Sequence, residues 1–307
     1  MINLVSFAVN LTMQRLLYIL VYPILWITSI LPMWLLYFNS SVLYVFVYYI
    51  LGYRKKVVLG NLKLVFPEKS AREHKDIAKK FYQHLCDITF ETIKSLTVSD
   101  VLMNKRYHIE NIEVLEELYR ENRSVFVVCG HYGNWEWSSF ISKKIPCKGY
   151  AVYKPLPNPY FDRLVKKIRG QYGCTIISNK KIVPISFRDS KNNIKTLTFI
   201  VADQSPKKGS FKHRDTFMNI NVPVFTGIEE LAKRLNIVIV YLKVKKIKRG
   251  FYSASFVPLA KYPSEYKDYE ITRMFLDEIE KQIKEEPQYY LWSHKRWKHK
   301  EKDSKDY

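Results

Sequence analysis

The stretch Ser124-Val-Phe-Val-Val-Cys-Gly-His-Tyr-Gly-Asn-Trp-Glu-Trp137 decides how the rest of the chain is read. Val125–Cys129 is a short apolar run, the pattern of a buried strand. Gly130 ends it, and Gly133 permits a second change of direction. Asn134 suits an N-cap, with Glu136 in the first turn, where a carboxylate favours the helix dipole. The reading is strand, tight loop, helix. His131 and Glu136 are five residues apart. On one continuous helix they would point ~140° away from each other, so they meet only if the chain turns between them. A carboxylate on one imidazole nitrogen fixes the tautomer and makes the other nitrogen a better base. The same residues also suit a strand-end histidine beside a helix-capping glutamate.

Composition narrows the partners. Lys+Arg number 50 against 29 Asp+Glu, a formal net charge of +21, which favours anionic partners such as nucleic acid, an anionic membrane surface or an acidic protein. No Gly-rich phosphate loop, zinc-ligand spacing or RNP-like motif supports a nucleic-acid binder. Cys86, Cys129, Cys147 and Cys174 are scattered without a Cys-x-x-Cys pair, so neither a metal site nor a disulfide framework is expected, and no cofactor is implied. Cys129 lies two residues before His131; an inert strand-end thiol is favoured over a Cys–His nucleophile.

From Leu16 to Tyr53 there is no charged side chain. Leu16–Phe38 is long enough for one membrane helix of ~20 residues, with Pro23 and Pro32 as kinks. Asn39-Ser40-Ser41 reads as a turn, and the tyrosine-rich Val42–Tyr53 suits the interface. Arg54-Lys55-Lys56 follows, and the positive-inside bias places the remainder in the cytoplasm, against an inner membrane. The expected organisation is residues 1–53 as an anchoring segment and 54–307 as one domain.

Along that domain, Ser70-Ala-Arg-Glu73 is a capping-box pattern opening an amphipathic helix to about Leu96. Strand and helix signals then interleave. Gly149–Tyr153 and Thr196–Ala202 read as strands, with Phe161–Arg169, Thr226–Leu235 and Ile271–Glu286 as helices. Lys207–Asp215 reads as a charged loop. Asn236–Lys245 and Phe251–Val257 join as a hairpin around Arg249-Gly250. The fold class is α/β, a mixed central sheet flanked by helices and preceded by an N-terminal membrane helix.

Gly-His-Tyr-Gly-Asn-Trp-Glu resembles the His-x4-Asp/Glu motif of the lipid A late acyltransferases, the lauroyl/myristoyl transferase family within the lysophospholipid acyltransferase-like group. Four further blocks are similar to the same family, in order, between about Arg54 and Lys298. Tyr153-Lys-Pro-Leu-Pro-Asn-Pro159 with Arg169 and Gly173 matches one block, Lys154 replacing the commoner arginine. Ala202-Asp203-Gln204 matches another, although Ser205-Pro206 stands where many members continue with an aspartate. Phe217, Pro223, Thr226 and Gly227 match a third, and Tyr290-Leu-Trp-Ser-His-Lys-Arg296 a fourth.

The resemblance implies a membrane-bound O-acyltransferase moving a fatty acyl chain from a thioester donor, an acyl carrier protein, to a hydroxyl of a lipid A precursor. Another hydroxylated lipid, an aminolipid or glycolipid, is the alternative acceptor. His131 and Glu136 are then the catalytic pair, and Asn134, Lys154, Arg169, Asp203 and Gln204 bind substrate. Read from the residues alone, Arg169 could fork onto a phosphate or carboxylate or lie on a plain surface helix. Asp203 and Gln204 sit at a strand end, where functional groups gather and where turn caps also occur. His294, among Lys295, Arg296 and Lys298, has depressed basicity and suits a structural or phosphate-facing place better than that of a base.

Overall fold

The computed structural model describes residues 2–301, with side chains from residue 12 onward. The outer ends of the two expected segments, residue 1 and residues 302–307, lie outside the described residues. The chain begins with two helices, α1 (Ile2–Ile30) and α2 (Met33–Val45), the second continued by a π-helical turn over Phe46–Ile50. The expected single span over Leu16–Phe38 is therefore corrected. The break falls at Leu31-Pro32, because Pro32 lacks the N–H that would carry the first helix through and disfavours helical backbone at Leu31. Pro23 is accommodated inside α1. Asn39-Ser40-Ser41 lies within α2 rather than in a turn. Thr12–Ile30 and Met33–Ile50 are each long and apolar enough to cross a membrane, and they expose Leu20, Ile24, Trp34, Phe38 and Ile50.

Arg54 turns the chain in left-handed backbone into α3 (Lys55–Val65). Next comes α4 (Ala71–Lys94), opened by the expected capping box between Ser70 and Glu73. Helix α4 is the strut of the molecule. Ser40 donates to Asp87 and Tyr37 to Glu91, joining α2 to it. The Lys94 ammonium donates to the carbonyls of Ser29 and Leu31, placing a cation where the dipole of α1 is negative.

After α5 (Asp100–Arg106) the chain builds the sheet, with β1 (Tyr107–Ile109), α6 (Glu113–Arg120), β2 (Val125–Cys129), a 3-10 helix (Trp135–Lys144) and β3 (Lys148–Tyr153). Next are α7 (Pro159–Gly170), β4 (Cys174–Ser178), α8 (Ile182–Lys191) and β5 (Thr196–Val201). A small antiparallel pair, β6 (His213–Phe217) and β7 (Ile220–Val224), precedes α9 (Gly227–Leu235), β8 (Val238–Lys248), β9 (Phe251–Ala260) and α10 (Glu270–Glu285). The seven-stranded sheet runs β1-β9-β8-β2-β5-β3-β4, parallel throughout except for the β8–β9 hairpin. It is the expected mixed sheet flanked by helices.

All five residues of β2 are buried, as expected of a central parallel strand covered on both faces. One face packs on α10, α4 and the C-terminal Tyr290, Trp292 and Trp297. The other packs on Trp137, Phe140 and Tyr172. The loop expected over Lys207–Asp215 gives way to β6 from His213. Its turn places Met218 and Asn219 at positive φ, a two-residue hairpin connection.

Candidate functional site

Strands β2 and β5 are parallel neighbours, with Cys129 opposite Val201. Their carboxyl ends therefore deliver His131 and Asp203 to the same edge of the sheet, where open α/β sheets hold their sites. His131 Nδ1 lies 2.5 Å from Asp203 Oδ1. The carboxylate is 2% exposed and the ring 16%. Burial pulls the Asp203 carboxyl up, but the His131 charge and the hydrogen bonds it receives outweigh burial and hold it below the usual carboxylate range. Gln204 brings its Nε2 to 3.1 Å from His131 Nε2. With the amide nitrogen donating there, the ring carries its proton on Nδ1 and donates it to Asp203. Trp135 meets the imidazole edge-on at 5.2 Å.

The loop carrying His131 is fixed from four sides. Gly130 leaves room for the Ile279 side chain, which a β-carbon there would strike. Gly133 is left-handed at φ +58° and lies against Val244. The carbonyl of His131 accepts from the Leu291 N–H, and the Gly133 N–H donates to Tyr289. His84 on α4 lies with Nε2 3.2 Å from the Gly133 carbonyl.

Glu136 is not the carboxylate on His131. Both its oxygens are taken by Arg169 of α7, Nε to Oε2 at 2.8 Å and NH2 to Oε1 at 2.6 Å. The physical reason is local. After left-handed Gly133 the chain enters a 3-10 helix that turns Glu136 towards α7. Arg169 thus uses its fork on a carboxylate of its own chain.

Asn134 is fully buried. Its oxygen accepts from the Trp137 N–H and its amide donates to Glu91. It caps the 3-10 helix, as its position predicts, and its side chain is spent on that task. Lys154 is exposed in the loop before α7. The structure thus brings together His131, Asp203 and Gln204, and separately Glu136 with Arg169.

Three further groups surround Asp203. The Tyr290 hydroxyl faces it, and burial, reinforced by that negative charge, raises the phenol's pKa. His294 lies beside the pair, with Nε2 3.4 Å from the Ser205 N–H. Burial, with the charges of His131, Arg296 and Lys298, lowers its pKa to about 4, so it sits there as a neutral ring. The depressed basicity expected from its neighbours is present, with burial as the larger cause. Arg296 is 1% exposed, stacked over Phe217 at 4.9 Å, and donates to the Pro223 carbonyl. Cys129 is buried, and its thiol is pushed up by burial and by the Asp203 and Glu136 charges, the state of an inert thiol.

Glu91 is the residue that sequence reasoning missed most plainly. It is buried on α4 and accepts from Tyr37, Asn134 and Tyr252. Its only signal was a carboxylate on the apolar side of an amphipathic helix.

Residues 6–299 match the family described as bacterial lipid A biosynthesis acyltransferase. The chain is 23% identical over 258 residues to the lipid A biosynthesis palmitoleoyltransferase of Escherichia coli strain K12, covering 80% of this chain and 79% of that protein. It has the same identity and coverage with the lipid A biosynthesis acyltransferase of Shigella flexneri. With all but the ends of the sequence inside the match, the chain belongs to the bacterial lipid A biosynthesis acyltransferase family.

Proposed function

We propose that this acyltransferase moves a fatty acyl chain from the thioester of an acyl carrier protein to a hydroxyl of a lipid A precursor, with His131 as the general base. The observation that carries the reading is the His131–Asp203 contact at the carboxyl end of the sheet. Asp203 holds the ring with its proton on Nδ1, so the Nε2 lone pair is the one offered to the acceptor. An incoming hydroxyl takes the place that the Gln204 amide occupies. As its oxygen bonds to the thioester carbon, its proton passes to Nε2. Collapse of the tetrahedral intermediate breaks the carbon–sulfur bond, and the leaving thiolate takes the proton from the imidazolium. No acyl-enzyme is needed, which agrees with the raised pKa of Cys129.

The oxyanion is stabilised by the N–H groups that open the 3-10 helix at Trp135 and Glu136. The first turn of a helix leaves such donors unsatisfied. Glu136 and Arg169 act as a braced pair that fixes this helix start, and Lys154 together with the remaining edge of Arg169 meets an anionic substrate group. In this reading residues 1–53 anchor the enzyme in the inner membrane, and residues 54–307 carry the reaction on the cytoplasmic side. Two N-terminal helices long and apolar enough to cross a membrane are consistent with membrane association. The flank Arg54-Lys55-Lys56 supports the cytoplasmic side.

The test uses the full-length protein in detergent, an acyl carrier protein loaded with a fatty acid, and a lipid A precursor, with the product followed by mass. Acyl transfer that disappears in His131→Ala and falls steeply in Asp203→Asn supports the mechanism. Near-normal turnover in His131→Ala would reject it.

A further inference from the structure

A second feature lies outside the catalytic centre, between α3 and the C-terminal segment. Lys56, Gly60 and Leu64 stand at four-residue intervals along one face of α3. Facing them are Trp297 and the lysines at 295, 298 and 300. Together they line an open groove of about 250 Å³. Its two walls are tied together. Asn61 donates to the carbonyls of Trp292 and His294, and Arg54 to that of Ser293. Trp297 stacks on Phe217 and Trp292, and Arg214 holds the His299 carbonyl.

The charge is one-sided. Lys56, Lys295, Lys298 and Lys300 are exposed, and none makes an ion pair among the described residues. The apolar hairpin ends immediately before the groove. Tyr49, Ile50, Leu51 and Tyr53 expose their side chains there, three to seven residues before Lys56 in the sequence. An apolar collar followed by four unpaired ammonium groups around an apolar floor matches a molecule with a negative head and hydrocarbon chains.

We propose that this groove binds the phosphate-bearing headgroup of an anionic membrane phospholipid, with its chains against the collar. The proposal rests on the membrane association argued above and not on the chemistry at His131. Gly60 leaves its side of the groove open, since a β-carbon there would meet open space. It also makes the groove testable. Gly60→Leu fills the groove and leaves all four lysines in place. Within a helix it replaces a poor helix former by a good one, so loss of folding is not the expected result.

The experiment measures lipid retained on the full-length protein released from detergent, by native mass spectrometry, with phosphatidylglycerol or phosphatidylcholine supplied at equal concentration. Phosphatidylglycerol should be retained preferentially. Lys295→Gln/Lys298→Gln/Lys300→Gln should lower its retention roughly 10- to 100-fold, following the strength of basic side chains at an anionic surface. Gly60→Leu should lower it without changing net charge. Equal retention of the two lipids would overturn the proposal. So would unchanged phosphatidylglycerol retention in Gly60→Leu, which would reduce the effect to diffuse charge. Full displacement by inorganic phosphate would show an ion site rather than a lipid site. The readout involves no turnover, so failure of the groove and failure of the acyl-transfer mechanism are separable.

Discussion

Arg169 and Glu136 form a two-pronged ion pair, and this pair takes Glu136 away from the ring of His131. The side chains are 30% and 13% exposed. Removing one partner strands the other in a largely dry place. Glu136→Gln and Arg169→Ala should each lower stability by about 1–3 kcal/mol, less than a fully buried pair would lose because Arg169 is partly wet. The double variant should fall well short of the sum of the two. Arg169→Lys should not restore the wild-type midpoint, because an ammonium cannot reproduce the fork. Thermal unfolding of the wild type and the four variants in detergent measures this coupling; additive losses would show that the pair does not act as a unit.

The contrast between the two carboxylates is sharper in turnover. If Asp203 orients the base, Asp203→Asn should lose activity approaching that of His131→Ala, in the range of about 10²–10⁴-fold for general-base assistance. The double variant should be little worse than His131→Ala, because the two act together. Glu136→Gln should cost less than Asp203→Asn. Initial rates with a saturating acyl donor decide between them, and the opposite ranking would return the orienting role to Glu136.

Acid should destabilise the fold through its buried histidines. His294 is held down to about 4 by burial and neighbouring cations, and burial together with Lys246 holds His84 well below the usual imidazole range. Both stay neutral in the folded protein, while the unfolded chain takes up protons near pH 6.5. The unfolded state therefore binds more protons below that point, and stability falls as pH drops from about 6.5. The share due to His294 is complete near pH 4. Asp203, held low, contributes stability that is lost only below the ordinary aspartate range. His294→Gln should flatten part of the slope between pH 6.5 and 4 and leave the part due to His84. Unfolding midpoints across that range, wild type against variant, measure it.

Gly133 sits in left-handed backbone, and a β-carbon there would lie 2.9 Å from Val244 Cγ1. Gly133→Ala should cost about 1–2 kcal/mol from the backbone alone, with a further loss from the contact. It should also lower turnover, since the same turn aims His131. Normal turnover in a destabilised Gly133→Ala protein would show that the loop tolerates displacement.

Much of the fold could be read from local pattern. The apolar run Val125–Cys129, the capping box at Ser70 and the Arg249-Gly250 hairpin are signals carried within a few residues. The short β4 over Cys174–Ser178, the edge strand, and the helix Ile182–Lys191 are not marked this way, because both have mixed burial. The site divides along the same line. His131 and Asn134 were legible from one stretch. Asp203 is 72 residues from His131, and only the adjacency of β2 and β5 makes them partners. Glu136 was the nearest carboxylate in sequence, and nothing local records that a 3-10 helix after Gly133 points it at Arg169. Proximity along the chain misled where strand order decided.

The knot at Glu91 has a practical consequence. Tyr37 from the second apolar helix and Asn134 from the His131 loop bind the same carboxylate, and Ser40 and Arg249 share Asp87 one turn away. Cutting the chain at residue 53 therefore does more than release a tethered head from its leash. It strips hydrogen-bond donors from two buried acids, one of which holds Asn134 in the His131 loop. A soluble version made by truncation would lose part of its own skeleton, whereas one made by recolouring the outward face of the hairpin with polar side chains, at Leu20, Ile24, Trp34 and Phe38, would keep it.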